Sequence, residues 1–309
     1  MTNVTSVTNK DYQLRSFIKL KVNDYISLLK PRVMSLSIFT SIVGMIIAPG
    51  SLDLLTSFLV ILAITIGSGA SGALNMWYER DTDALMARTK DRVLPRKRIS
   101  PLGALAYGTV LAIFSVCLLY YVSNLLAASL LALTIFYYIF VYTIWLKKRT
   151  PQNIVIGGAA GAFPPLIGWA SVSGSLSLEI LLLFLLIFLW TPPHFWALAL
   201  YQSDDYKKAG IPMMPIVVGD KKTVTMIILY SFTLLPVTMM MSYYYSIFFA
   251  ISSAVLGISF IYLALNLRTF LGEGQMFVKK AQTLFYFSII YLFNIFAILL
   301  IDNLMWNIV

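Results

Sequence analysis

Asn75, Glu79 and Asp83 recur at four-residue intervals in "NMWYERDTD", directly behind a long apolar run. On a helix that spacing stacks the three side chains on one face, while Asp81 points roughly the other way. Carboxylates stacked this way repel one another unless a cation sits among them. Magnesium takes oxygen ligands and commonly bridges a few carboxylates to substrate phosphates. Arg88, Lys90 and Arg92 follow, and guanidinium forks match the oxygens of a diphosphate. The competing reading is an ordinary solvated helix end, held by an i, i+3 pair such as Arg80 with Asp83.

A second acidic stretch, "TPPHFWALALYQSDDYKKAGIPMMP", covers residues 191–215. Tyr201 and Asp205 share a helical face at i, i+4. Asp204 and Asp205 close the helix, Lys207 and Lys208 follow, and "GIPMMP" supplies a turn. By itself the stretch reads equally as a helix that stops at a polar turn. His194 is the only histidine and sits between a proline pair and aromatics. Polar groups inside apolar segments are costly and default to functional candidates. Imidazole is a common axial ligand of haem iron; a hydrogen-bonded core residue is the alternative.

The elements that must hold these groups are membrane spans. The 309 residues are 59% hydrophobic and 12% charged, with a mean hydropathy of +0.83; a soluble domain carries about 25% charge. Runs long enough to span lie near 32–49, 53–76, 102–121, 124–145, 153–172, 178–200, 223–243, 246–267 and 282–301. Gly and Pro break several of them, as in "GGAAGAFPP" (157–165). Residues 1–30 form a polar tail without the apolar core and cleavage site of a signal peptide, and 31–309 read as one transmembrane domain. The single cysteine, Cys117, excludes a disulfide framework.

All 23 Lys and Arg residues fall in the N-terminal tail or in alternate loops, those after spans two, four, six and eight. Cations accumulate on the cytoplasmic side. The N-terminus is therefore expected in the cytoplasm, the C-terminus outside, and the helix count odd. This asymmetry accounts for most of the net charge of +10 without invoking nucleic acid. Both acidic stretches lie on the cytoplasmic side.

Four stretches carry a family resemblance: "LLKPRVMSL" (28–36), "NMWYERDTDALMARTKDR" (75–92), "YTIWLKKRTPQNIVIGGAAGAFPPLIGWASVSG" (142–174) and "PPHFWALALYQSDDYKKAGIPMMPIV" (192–217). In order, and over nearly the whole chain, they resemble the UbiA superfamily of intramembrane prenyltransferases, specifically its haem-farnesylating branch. The resemblance implies an all-α bundle of about nine transmembrane helices around a central cavity, in a bacterial inner membrane, with its active site towards the cytoplasm. It implies transfer of farnesyl from farnesyl diphosphate to a vinyl group of haem B, giving haem O. Asn75, Glu79, Asp83, Asp204 and Asp205 would then hold Mg2+ and serve the ionisation. Arg88, Arg92, Lys147 and Lys148 would bind the diphosphate, with Tyr142 and Tyr201 lining the substrates. His194 would contact haem. Arg32, with Lys30 and Arg149, would meet the haem propionates. Aromatics such as Phe163, Trp169, Phe195 and Trp196 are candidates to face the carbocation. Glycines 157, 158 and 161 would let backbone approach substrate, unless they serve helix packing. The product would pass to haem-processing or terminal oxidase proteins.

The chain departs from the family pattern twice. Glu79 stands where the first motif usually has Asp. Position 209, four after Asp205, is Ala, which weakens the second metal site. A prenyltransferase of quinone precursors and a non-catalytic haem transporter or chaperone are the alternatives.

Overall fold

The structure is a computed structural model that describes residues 21–306. The first twenty residues of the tail, with Lys10, Arg15 and Lys19, lie outside the described residues. The helices in chain order are α1 (Lys21–Leu28), α2 (Pro31–Ile46), α3 (Leu54–Asp83), α4 (Pro101–Val122) and α5 (Leu125–Phe136). A π-helical segment, Tyr137–Leu146, continues α5. Then come α6 (Asn153–Gly157), α7 (Ala159–Ser173), α8 (Leu178–Tyr201), α9 (Ser203–Lys208), α10 (Met214–Met241), α11 (Ile247–Thr269) and α12 (Gln275–Trp306).

Among the described residues, eight helical spans are long and apolar enough to cross a membrane. A ninth arises when α1 and α2, bent by 53°, count as one. Each of the nine runs expected from the sequence corresponds to one of these, and the protein is a multi-pass membrane protein. Several spans start at side chains that accept a backbone N–H: Asp53, Ser100, Asn124, Ser177 and Ser246. Each such cap contributes about 1 kcal/mol.

The helices overrun the sequence limits at one end of the bundle. α3 has 30 residues, about 45 Å at 1.5 Å per residue, against a hydrocarbon core of about 30 Å. It continues past 76 to Asp83, while α10 and α12 begin at Met214 and Gln275, ahead of the expected 223 and 282. These overhangs project at the cation-rich end. α1 packs there as well. Leu28 is fully buried with Ala73, Met76, Val93 and Leu94, and Asp24 pairs with Arg98 at 3.0 Å.

The innermost spans are α6–α7 and α8. α7 crosses α2 backbone to backbone: a Cβ on Gly168 would lie 2.0 Å from the Ser41 carbonyl oxygen, and one on Gly44 2.3 Å from that of Pro165. Only glycine permits that approach.

Candidate active site

At the cation-rich end, four pieces of backbone converge: the end of α3, the bend between α1 and α2, the π-helical segment, and the loop after α3. Asn75, Glu79 and Asp83 are all buried on α3, and each meets a cation from a different piece.

Lys30 occupies the bend in a left-handed conformation, φ 54° and ψ 53°, which costs a non-glycine residue roughly 1–2 kcal/mol. That geometry places its ammonium 2.5 Å from Asn75 Oδ1. The Asn75 amide donates in turn to Thr143 Oγ1 at 3.0 Å, and Thr143 donates to the Tyr138 carbonyl at 2.8 Å. The amide is thereby fixed with its oxygen towards the cation. Glu79 forms an ion pair with Lys147, whose ammonium lies 5.7 Å from the Tyr142 ring centroid. Burial alone would lower the Lys147 pKa, but the Glu79 carboxylate more than offsets this and raises it above its ordinary 10.5. Asp83 Oδ2 pairs with Arg92 at 2.7 Å, and the Asp83 carbonyl accepts from Thr89, pinning the loop.

The π-helix brings Thr143 and Lys147 to α3. Its i→i−5 bonding, seen in Lys147 N–H donating to the Tyr142 carbonyl at 2.9 Å, advances each residue less than an α-helix would. π segments are rare and concentrate at functional sites.

Three basic side chains thus face two carboxylates and an amide. Buried ion pairs are tolerated only when their oxygens are satisfied, and one is not: Asp83 Oδ1 is buried without a hydrogen-bond partner. An orphaned buried acceptor costs about 1–3 kcal/mol. Among the described residues, no three His, Cys, Asp or Glu side chains converge as a metal cage. The donor set fits magnesium in its usual manner, with one or two carboxylates and the remaining positions left to water and phosphate.

The second acidic segment closes over the loop after α3. Asp205 accepts the backbone N–H groups of Ala87 and Arg88, both at 3.3 Å. Met86 from that loop is buried with Tyr206, Ile211 and Met213, and Tyr142 and Phe195 pack against the cluster. Asp204 is exposed, as are Lys148, Arg149, Arg32 and the Arg88 side chain. Arg80 pairs outward with Asp81 at 3.6 Å, so the i, i+3 pair with Asp83 gives way to Arg92. Tyr201 packs edge-on to Phe285 at 5.8 Å.

His194 is buried on α8. Its ring lies between Trp190, 4.3 Å away, and Phe285, 4.7 Å away, both stacked. Nδ1 is 2.6 Å from Ser288 Oγ on α12. Three of the aromatics named from sequence serve packing instead. Phe163 meets Phe184 and Trp196 meets Tyr230. Trp169 lines a cavity at the opposite end of the bundle with Ser177, Glu179 and Asn303. Gly157 and Gly158 are packing positions too, since a Cβ on Gly157 would lie 2.1 Å from the Tyr142 ring; Gly161 faces open space. Sequence reasoning missed Thr143 and Ser288, whose residue type carries no signal, and assigned Lys30 to the propionates rather than to Asn75.

The sequence pattern of the UbiA prenyltransferase family matches residues 37–289. A protoheme IX farnesyltransferase of Parvibaculum lavamentivorans is 52% identical over 285 residues, covering 91% of this chain and 89% of that protein. Another, from Acidiphilium cryptum, is 46% identical over 309 residues, 98% of each chain. A structure of digeranylgeranylglyceryl phosphate synthase superposes with a TM-score of 0.76 at 19% identity, covering 92% of this chain and 99% of the other. A UbiA homolog from Archaeoglobus fulgidus, bound to DMAPP and Mg2+, does so at 0.64 and 16%, covering 89% and 99%. The helical bundle, the paired polar segments at its cation-rich end and the match over most of the sequence agree: the chain belongs to the UbiA prenyltransferase family.

Proposed function

We propose that the protein transfers the farnesyl group of farnesyl diphosphate to a vinyl group of protohaem IX (haem B), giving haem O, at the cytoplasmic end of the bundle in a bacterial inner membrane. The observation that carries this reading is the buried cluster of Asn75, Glu79 and Asp83 with its three cations, in a chain about half identical to proteins of that activity.

Asn75, Glu79 and Asp83 hold Mg2+, with Asp83 Oδ1 the carboxylate oxygen still open. A metal held by these residues would supply positive charge for the leaving diphosphate. Lys30, Lys147 and Arg92 are held by Asn75, Glu79 and Asp83 until a diphosphate arrives, and then aim at its oxygens. As the allylic C–O bond breaks, its electron pair leaves with the diphosphate and an allylic cation remains. Tyr142, with its ring beside Lys147, and Phe195 turn aromatic faces towards it and keep water out, since water would trap the cation as farnesol. The haem vinyl π pair then forms the new C–C bond, and water adds to the resulting cation with loss of a proton. His194 contacts the haem, while Arg32 and Arg149, exposed at the same end, meet its propionates. Asp205 orders the loop that carries Arg88 and Arg92, so the metal assignment rests on the first segment, with Asp204 at its margin. Haem-processing or terminal oxidase proteins receive the product.

Membranes containing the protein, given haem B, farnesyl diphosphate and Mg2+, are expected to yield hydroxyethylfarnesyl haem by mass spectrometry. Absence of that product sinks the reading. Prenylation of a hydroxybenzoate instead would move the chain to a quinone-precursor activity.

A further inference from the structure

Ser288 lies at the centre of a small polar cluster inside apolar packing. It is fully buried on α12, and its hydroxyl has two neighbours. It donates to the Phe285 carbonyl at 2.6 Å, and His194 Nδ1 is 2.6 Å away. A hydroxyl has one proton to give. If that proton went to Nδ1, the Ser288 oxygen would face the Phe285 carbonyl lone pair to lone pair at 2.6 Å. Both short contacts are attractive only when His194 carries its proton on Nδ1 and donates it to Ser288.

The rest of the imidazole is equally constrained. Trp190 and Phe285 cover its two faces. Trp190 is locked in place because its Nε1–H donates to the Ser288 backbone carbonyl at 2.8 Å. Nδ1 is taken by the hydroxyl. The remaining nitrogen, Nε2, is unprotonated in this tautomer and has no hydrogen-bond partner among the described residues. A ring held on both faces, with one nitrogen donating to a buried oxygen and the other presenting a lone pair, has the arrangement of a metal-ligating histidine and its orienting partner.

We propose that Ser288 is a positioning residue that fixes His194 in the Nδ1–H tautomer, so that Nε2 ligates the iron of the haem acceptor. This rests on haem being the acceptor, as proposed above. Iron ligation would set the distance and tilt of the porphyrin, and the propionate contacts proposed above would set its rotation and so which vinyl group meets the prenyl chain.

The test uses the full-length protein in detergent, titrated with haem B. The wild type is expected to give the Soret band of a histidine-ligated haem, and His194→Ala to lose it. Ser288→Ala should shift the band and weaken haem uptake 10- to 100-fold, the cost of removing such an orienting partner. The Trp190 contact is to the backbone and survives this change. Farnesyl diphosphate affinity should be unaltered, which shows the variant is folded. Ser288→Thr, which keeps the hydroxyl, should restore the wild-type spectrum. A Ser288→Ala protein with wild-type spectrum and affinity overturns the positioning role alone. A His194→Ala protein that retains the wild-type band overturns the ligation. A wild type that takes up no haem overturns both this inference and the haem reading beneath it.

Discussion

The two acidic segments use the same residue types and sit at the same end of the bundle, yet they do opposite things with their charge. Glu79 and Asp83 are buried, and each is paired with a cation from outside α3. Asp204 is exposed, and Asp205 spends its carboxylate on two backbone N–H groups of the neighbouring loop. A buried carboxylate is tolerated only with a partner and keeps strong interactions, because little water screens it. An exposed one is screened and contributes little. The first segment therefore keeps strong, little-screened charge pairs, and the second holds the loop in place.

The sharpest way to break this contrast is Asp83→Asn, which removes the charge and keeps the shape. It is expected to lower haem O formation by about 10²–10³-fold, the usual cost of a lost group that stabilises charge in the transition state. Near-normal turnover by mass spectrometry would dissolve the distinction between the segments. Next comes Lys147→Met, which strands Glu79 as an unpaired buried charge. Breaking such a pair destabilises by about 3–5 kcal/mol, and Glu79→Gln in the same chain should recover part of the melting temperature but not the activity. Because Lys147 is raised above its ordinary pKa, this pair is intact at neutral pH. It is lost in acid as Glu79 takes a proton and in alkali as pH climbs through the raised Lys147 value, so an activity loss on going from pH 7 to pH 8 would not come from it. Asp205→Ala removes two long backbone hydrogen bonds, each worth about 1.5–3 kcal/mol at most for a charged acceptor. It should raise protease sensitivity of the loop after α3 and cut activity by less than about tenfold, well under the Asp83 effect. Asp204→Ala, at an exposed site, should change stability by less than about 0.5 kcal/mol and leave Mg2+ dependence intact. A raised magnesium requirement would return Asp204 to the metal site.

The spans, the cation-rich end of the bundle and the trio Asn75, Glu79 and Asp83 on one buried helix face were legible in the sequence. Hydrocarbon thickness demands long apolar runs, and a helix places residues four apart on one face. Which cation meets which acid was not legible. Arg92 lies nine residues beyond Asp83, Lys147 reaches Glu79 through a π-helical change of phase, and Lys30 reaches Asn75 through a left-handed bend. Spacing rules for regular helices cannot register any of these. The exposed positions of Lys148 and Arg88, adjacent in sequence to Lys147 and to the paired loop, show the same thing: neighbours along the chain diverge once the backbone turns.

By itself, then, the sequence determined the membrane bundle, its nine apolar runs and Asn75, Glu79 and Asp83 as a single face, because burial and helical period act locally along the chain. Tertiary structure alone decided the partners: the Lys30, Lys147 and Arg92 contacts, the clasp of Asp205, and the Ser288 hydroxyl against His194 Nδ1. Those depend on where distant segments meet, and a hydrogen bond or ion pair is made only within about 3–4 Å, a distance that only the packed fold sets.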